Sequence, residues 1–139
     1  MDPSKMTLQE RIEYASALKS SGKYNCAQAV LEALRDQTGL DEETLKQLGS
    51  GFCAGMGNME ATCGALIAAN MALGLKKQKG TLPLSKQLIE GFKEACGATK
   101  CRDLKQLTDG KPLCPCDTCV RNAVLLYGRI SGLENGYTP

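Results

Sequence analysis

The sequence predicts an all-α protein, a single-domain bundle of about six helices over residues 1–139 with the tail 133–139 frayed. Three observations predict it. Apolar residues recur at helical spacing in separate stretches. No stretch alternates in the manner of a strand, and no internal repeat of fixed period is present. The segment near 62–77 is apolar almost all round, as a helix buried on every side must be. With 139 residues, 42% of them apolar, the chain is long enough for one core and too apolar for disorder.

The elements follow in order. Thr7 and Glu10 form a capping box, after which Leu8, Ile12, Ala15 and Leu18 make one face, until Ser21-Gly22 ends the helix. Asn25 caps the second helix with Gln28 at the reciprocal position. Val30, Leu31 and Leu34 face inward, and Gly39 stops it. Asp41 caps a third helix with a Leu40–Leu45 staple and with Leu48 and Phe52 continuing inward. Asp41, Glu42 and Glu43 suit the positive end of that helix and need no catalytic role. "GSGFCAGMGNM" then interrupts. No strand precedes it, so a tight turn with close helix approach is expected and a phosphate cradle is not. The central helix runs from about Thr62, as its cap, to Lys77. Gly64, Ala65, Ala68, Ala69 and Ala72 let neighbours come close, and Lys76, Lys77 and Lys79 form a solvated end. Ser85 caps a fifth helix with a Leu84–Ile89 staple and with Leu88, Phe92 and Cys96 inward. Residues 97–116 read as irregular. A last helix starts at Pro115 or Asp117 and passes through Val120, Val124, Tyr127 and Ile130 to Gly132.

Composition narrows the function. A net charge of +2 and 4% aromatics with no Trp argue against nucleic acid and an anionic membrane as partners. The longest oily run, Cys63 to Leu75, falls short of the roughly 20 residues that cross a bilayer. The polar start "MDPSKMTLQER" shows no secretory signal, which predicts a cytoplasmic protein. Eight cysteines there point to metal binding or redox chemistry rather than structural disulfides. The chain has no histidine. Ser-His and Cys-His pairs are thereby excluded, and any metal must be held by thiolates or carboxylates. No C-x-x-C-H occurs, so covalent haem attachment is excluded.

The cysteines stand at 26, 53, 63, 96, 101, 114, 116 and 119. Cys26 and Cys63 read as first helical residues and Cys119 as first-turn, where free amides and the macrodipole lower a thiol's pKa. Cys101 lies between Lys100 and Arg102, whose charges act in the same direction. Cys53 and Cys96 read as core packing. "LCPCDTC" is the densest local signal. Cys101, Cys114, Cys116 and Cys119 are a candidate zinc knuckle, and Cys116-x-x-Cys119 has redox dithiol spacing, although ferredoxin spacing is absent.

Taken together, "YNCAQAVLEAL" (24–34), "GFCAGMG" (51–57), "TCGALIAANMALGL" (62–75), "CRDL" (101–104) and "CVRNAV" (119–124) resemble the redox-active protein family named for its C_GCAxxG_C_C pattern. The resemblance covers roughly Leu8 to Tyr127. It implies four hallmark cysteines, which fall on Cys26, Cys63, Cys101 and Cys119. Ala68 replaces the motif's final glycine. The expected function is a redox-active cysteine protein whose four motif cysteines converge. They either ligate an iron–sulfur cluster or other metal for electron transfer, or cycle between thiol and disulfide with Cys63 or Cys119 attacking. A redox partner protein is the expected partner. Arg102 and Asp103 are expected to form a surface ion pair. The alternative is a helical interaction module with structural zinc or packed cysteines and no redox turnover.

Overall fold

A computed structural model describes residues 1–133 of the chain. Six longer helices carry the fold: α1 (Leu8–Ser20), α2 (Cys26–Ala33), α4 (Glu42–Gly49), α5 (Gly64–Lys77), α6 (Leu82–Cys96) and α8 (Cys116–Ser131). One-turn helices α3 (Arg35–Thr38) and α7 (Cys101–Leu104) and a hairpin of β1 (Leu107–Thr108) and β2 (Lys111–Pro112) fill the connections. α5 packs against α2, α3, α6 and α8, so it is the central helix that its all-round apolar sequence predicts. Ala65, Ala68, Ala69 and Ala72 are fully buried there, and these small side chains allow the neighbours' close approach.

The caps explain most boundaries. Thr7 and Asn25 each close a reciprocal capping box, and Asp41 accepts from the Thr44 amide at 2.7 Å. Several details depart from the sequence reading. Cys63, not Thr62, is the N-cap of α5, because Thr62 is held in an antiparallel backbone bridge with Lys100. α6 begins at Leu82 with Pro83 in its first turn, and Ser85 lies inside it, bonded to Asn70. Leu48 and Ile89 are exposed, since α4 ends at Gly49 and α6 turns Leu88 and Phe92 inward. The irregular stretch hides a hairpin around Asp109-Gly110, both at positive φ, the backbone that two-residue hairpin turns require. Residues 134–139 of the expected frayed tail lie outside the described residues.

At one end of the bundle lies a buried polar cluster that hydrophobic periodicity did not reveal. Arg11 sits on the inward face of α1 beside Ile12 and is 2% exposed. Its guanidinium donates to both oxygens of Asp36, at 2.6 and 2.9 Å, and to the Ala33 carbonyl at 3.1 Å. Glu32, also buried, accepts from Tyr14 at 2.9 Å and Arg35 at 3.1 Å.

Candidate thiolate site

The opposite pole is built from helix starts. Cys26 opens α2, Cys63 caps α5, Cys101 opens α7 and Cys116 opens α8. Three backbone devices bring these starts together. The Thr62–Lys100 bridge is flanked by hydrogen bonds from the Cys63 amide to Thr99 (2.8 Å) and from the Cys101 amide to Ala61 (3.0 Å). Side chains alternate across such a bridge. Cys63 and Cys101 therefore share one face and Thr62 and Lys100 the other. Gly64 lets α5 press against the Phe52 carbonyl and Ala27, where an added Cβ would collide. The segment Gly55–Met59 then turns back over the site. Ala54, Gly55, Met56 and Gly57 all have positive φ, a left-handed turn that costs roughly 1–2 kcal/mol at each non-glycine residue. A Cβ on Gly55 would stand 2.9 Å from that of Cys101.

The result is a cavity of ≈ 250 Å³ walled by Cys26, Cys53, Cys63, Cys101 and Cys116 together with Lys19 and Lys105. Met59 also lines it, its sulfur 3.7 Å from Cys101 Sγ, and no carboxylate among the described residues does. Cys53, expected in the core, is instead the exposed thiol at its rim, on the segment that turns over the site. Behind this wall lies a second cluster. Cys96, Cys114 and Cys119 are 5%, 3% and 0% exposed, and their sulfurs lie within 4.8 Å of one another. That spacing is one in which three thiolates can hold a metal ion. A larger groove of ≈ 970 Å³ between α5 and α6, floored by Leu66, Ile67 and Leu88, contains no cysteine.

Electrostatics divides the thiols into donors and anions. Cys116 is lowered to about 5, chiefly because Cys26 donates to it and also by Lys105, and Cys26 is raised in return. Cys63 is lowered to about 7, first by the Cys119 thiol, then by the Ala65 and Leu66 amides and Lys105, against the opposing effect of burial. Cys96 falls to about 6 through Cys119, Asn122, Cys114 and Lys105. Cys119 is raised because its one S–H proton is held between the sulfurs of Cys63 and Cys96, and burial pushes Cys114 up to about 11. Lys105 sits between the two clusters. Its Nζ donates to the Cys114 carbonyl at 3.0 Å and to Cys119 Sγ at 3.8 Å.

The predicted site residues are thus distributed as follows. Cys26, Cys63 and Cys101 line the cavity, and Cys119 lies behind it in sulfur contact with Cys63. The charge argument fits Cys63. It misassigns Cys26, whose proton is held while Cys116 ionises, and Cys119, whose proton is held toward Cys63 and Cys96, so that of the two expected attacking thiols only Cys63 is lowered. It also misassigns Cys101, which burial raises. Arg102 is 58% exposed and forms the expected surface ion pair with Asp103 and a second one with Glu60, while Lys100 lines the far groove. The candidate knuckle of Cys101, Cys114, Cys116 and Cys119 is split, two thiols on the cavity and two in the buried triad. Cys96 packs in the core as expected and is also a triad member. Sequence reasoning missed Lys105, and it took Cys116 as a knuckle ligand and as the dithiol partner of Cys119 rather than as a cavity thiol paired with Cys26. Cys116 could have been found from Pro115, an N-cap that makes the next residue the first of α8.

A family model matches residues 24–130, that of the family described as "Putative redox-active protein (C_GCAxxG_C_C)". No curated protein and no solved structure matches the chain. No helix among the described residues is long and apolar enough to cross a membrane.

Proposed function

This chain belongs to the C_GCAxxG_C_C family, and we propose that its cavity is an electron-transfer centre in which cysteine thiolates hold an iron–sulfur cluster. One observation carries the reading. Thiols from five separate chain segments line one cavity that also receives four helix starts and two lysines. Clusters are held by thiolates, and the anion they form is favoured by N–H groups and cations aimed at it. The donor set fits, since among the described residues the walls offer sulfur and no carboxylate. Cys26, Cys63, Cys101 and Cys116 would be the ligands. Cys119 would act from behind by donating to Cys63, and Lys105 by offsetting negative charge. The cluster would supply one-electron chemistry, with a redox protein as the partner.

A second reading is favoured by the Cys26–Cys116 pair. A thiolate lowered to about 5 beside a protonated thiol is a dithiol poised for exchange. Anaerobic incubation of reduced protein with ferrous iron and sulfide separates the two. The cluster reading expects retained iron and sulfide, visible absorbance that bleaches on reduction, and loss of both in Cys63→Ser and Cys116→Ser. A colourless protein that retains no iron, and forms a Cys26–Cys116 disulfide with oxidised glutathione, would replace it by exchange.

A further inference from the structure

We propose that Cys96, Cys114 and Cys119 form a second metal site, separate from the cavity, that takes Cu(I). The sulfurs come from the last residue of α6, the loop before α8 and the first turns of α8. Cys119 Sγ lies 3.3 Å from Cys114 Sγ, and all three sulfurs fall within 4.8 Å of one another.

Donor softness comes first. An all-thiolate set selects Cu(I), Zn(II) or iron–sulfur species over hard cations. Ligand number then decides among them. Closed zinc sites are almost always four-coordinate and tetrahedral. Among the described residues three sulfurs lie within 4.8 Å of one another and no carboxylate joins them; Cys63 reaches Cys119 but does not stand within that distance of all three. All three are buried, so solvent is not at hand to supply a fourth ligand. A monovalent d¹⁰ ion accepts trigonal thiolate coordination. The surrounding groups also suit an anionic trithiolate, because Asn122 Nδ2 stands 3.3 Å from Cys96 Sγ and Lys105 Nζ 3.8 Å from Cys119 Sγ. Binding forms three Cu–S bonds, and each proton still held by the three sulfurs leaves to solvent; copper stays Cu(I) throughout, so no oxidant or reductant is needed.

Cu(I) here takes the sulfur of Cys119 and displaces the proton it holds toward Cys63, so the site is tested with the cavity free of cluster and does not rest on the cluster reading. The test is an anaerobic titration of the fully reduced protein with Cu(I) in competition with a chromophoric Cu(I) chelator. X-ray absorption at one equivalent then counts the sulfur ligands. The expected result is three sulfurs around the first copper, with affinity lowered about 100-fold in Cys96→Ser and about 10-fold in Asn122→Ala. The double variant Cys26→Ser/Cys116→Ser is expected to bind the first equivalent unchanged. Two or four sulfurs in wild-type protein would overturn the proposal. So would a first equivalent lost in the cavity variant and kept in Asn122→Ala, a substitution that leaves every thiol in place.

Discussion

At the Arg11 end of the bundle the buried charges satisfy one another, whereas at the thiol end donors surround sulfurs beside open space. Arg11 pairs with Asp36, and beside them Glu32 accepts from Tyr14 and Arg35; in these two groups one buried polar atom, Arg11 Nε, is without a partner. Around the thiols, Lys105, the head of α5 and two donor thiols stabilise negative charge on the walls of a cavity. Both are polar interiors of one helical bundle. The difference separates a buried network that fixes helix positions from one arranged to receive something.

The largest effect that sharpens this contrast is kinetic. Cys116 is expected to be alkylated with a pH midpoint near 5, measured on its own peptide by mass spectrometry. Cys26→Ala removes the main source of the shift. Its alkylation rate at pH 6 is expected to fall by roughly 100-fold as the midpoint moves toward the ordinary thiol range. An unchanged midpoint would break the donor–anion pairing.

Next in size is Arg11→Ala, which leaves the half-buried Asp36 carboxylate and the Ala33 carbonyl without their partner. It is expected to cost about 3 kcal/mol in urea unfolding, with the cavity thiols' reactivity unchanged. Burial alone would raise Asp36, but its bonds from Arg11 and Gln37 outweigh that and lower its pKa. Its stabilisation is therefore present above the ordinary carboxylate range and lost as pH falls through the lowered value. Arg11→Ala flattens that acid limb.

Gly64→Ala acts on the thiol end. The new methyl meets the Phe52 carbonyl and Ala27, at an expected cost of about 2 kcal/mol read from the same unfolding curves. Ala54→Gly is the smallest and has the opposite sign. Relief of left-handed strain at φ 51° is expected to stabilise the protein by about 1 kcal/mol.

The same contrast explains what could be read from the sequence. The helices were legible because capping boxes and apolar spacing are local, as at Thr7–Glu10 and Asn25–Gln28. The central helix was legible because its residues are apolar on every side. Arg11 was not, because only the fold brings Asp36 to it across 25 residues. Cys63 was placed at the head of α5, one residue from its true role as the cap. The split of the eight thiols into a cavity and a triad depends on the Thr62–Lys100 bridge and on Cys96 meeting Cys119, both long-range. Which thiol ionises depends on sulfur–sulfur donation that spacing does not encode. The Asp109-Gly110 hairpin was within reach, since that dipeptide is itself a turn signal.

The most direct test is an absorbance titration of thiolate formation in the reduced, metal-free protein. Three thiolates, those of Cys116, Cys96 and Cys63, are expected to form with midpoints of about 5, 6 and 7. A curve in which all eight cysteines ionise together near the ordinary thiol value would contradict the account, because helix heads, Lys105 and donor thiols would then not be stabilising anions at this end of the molecule.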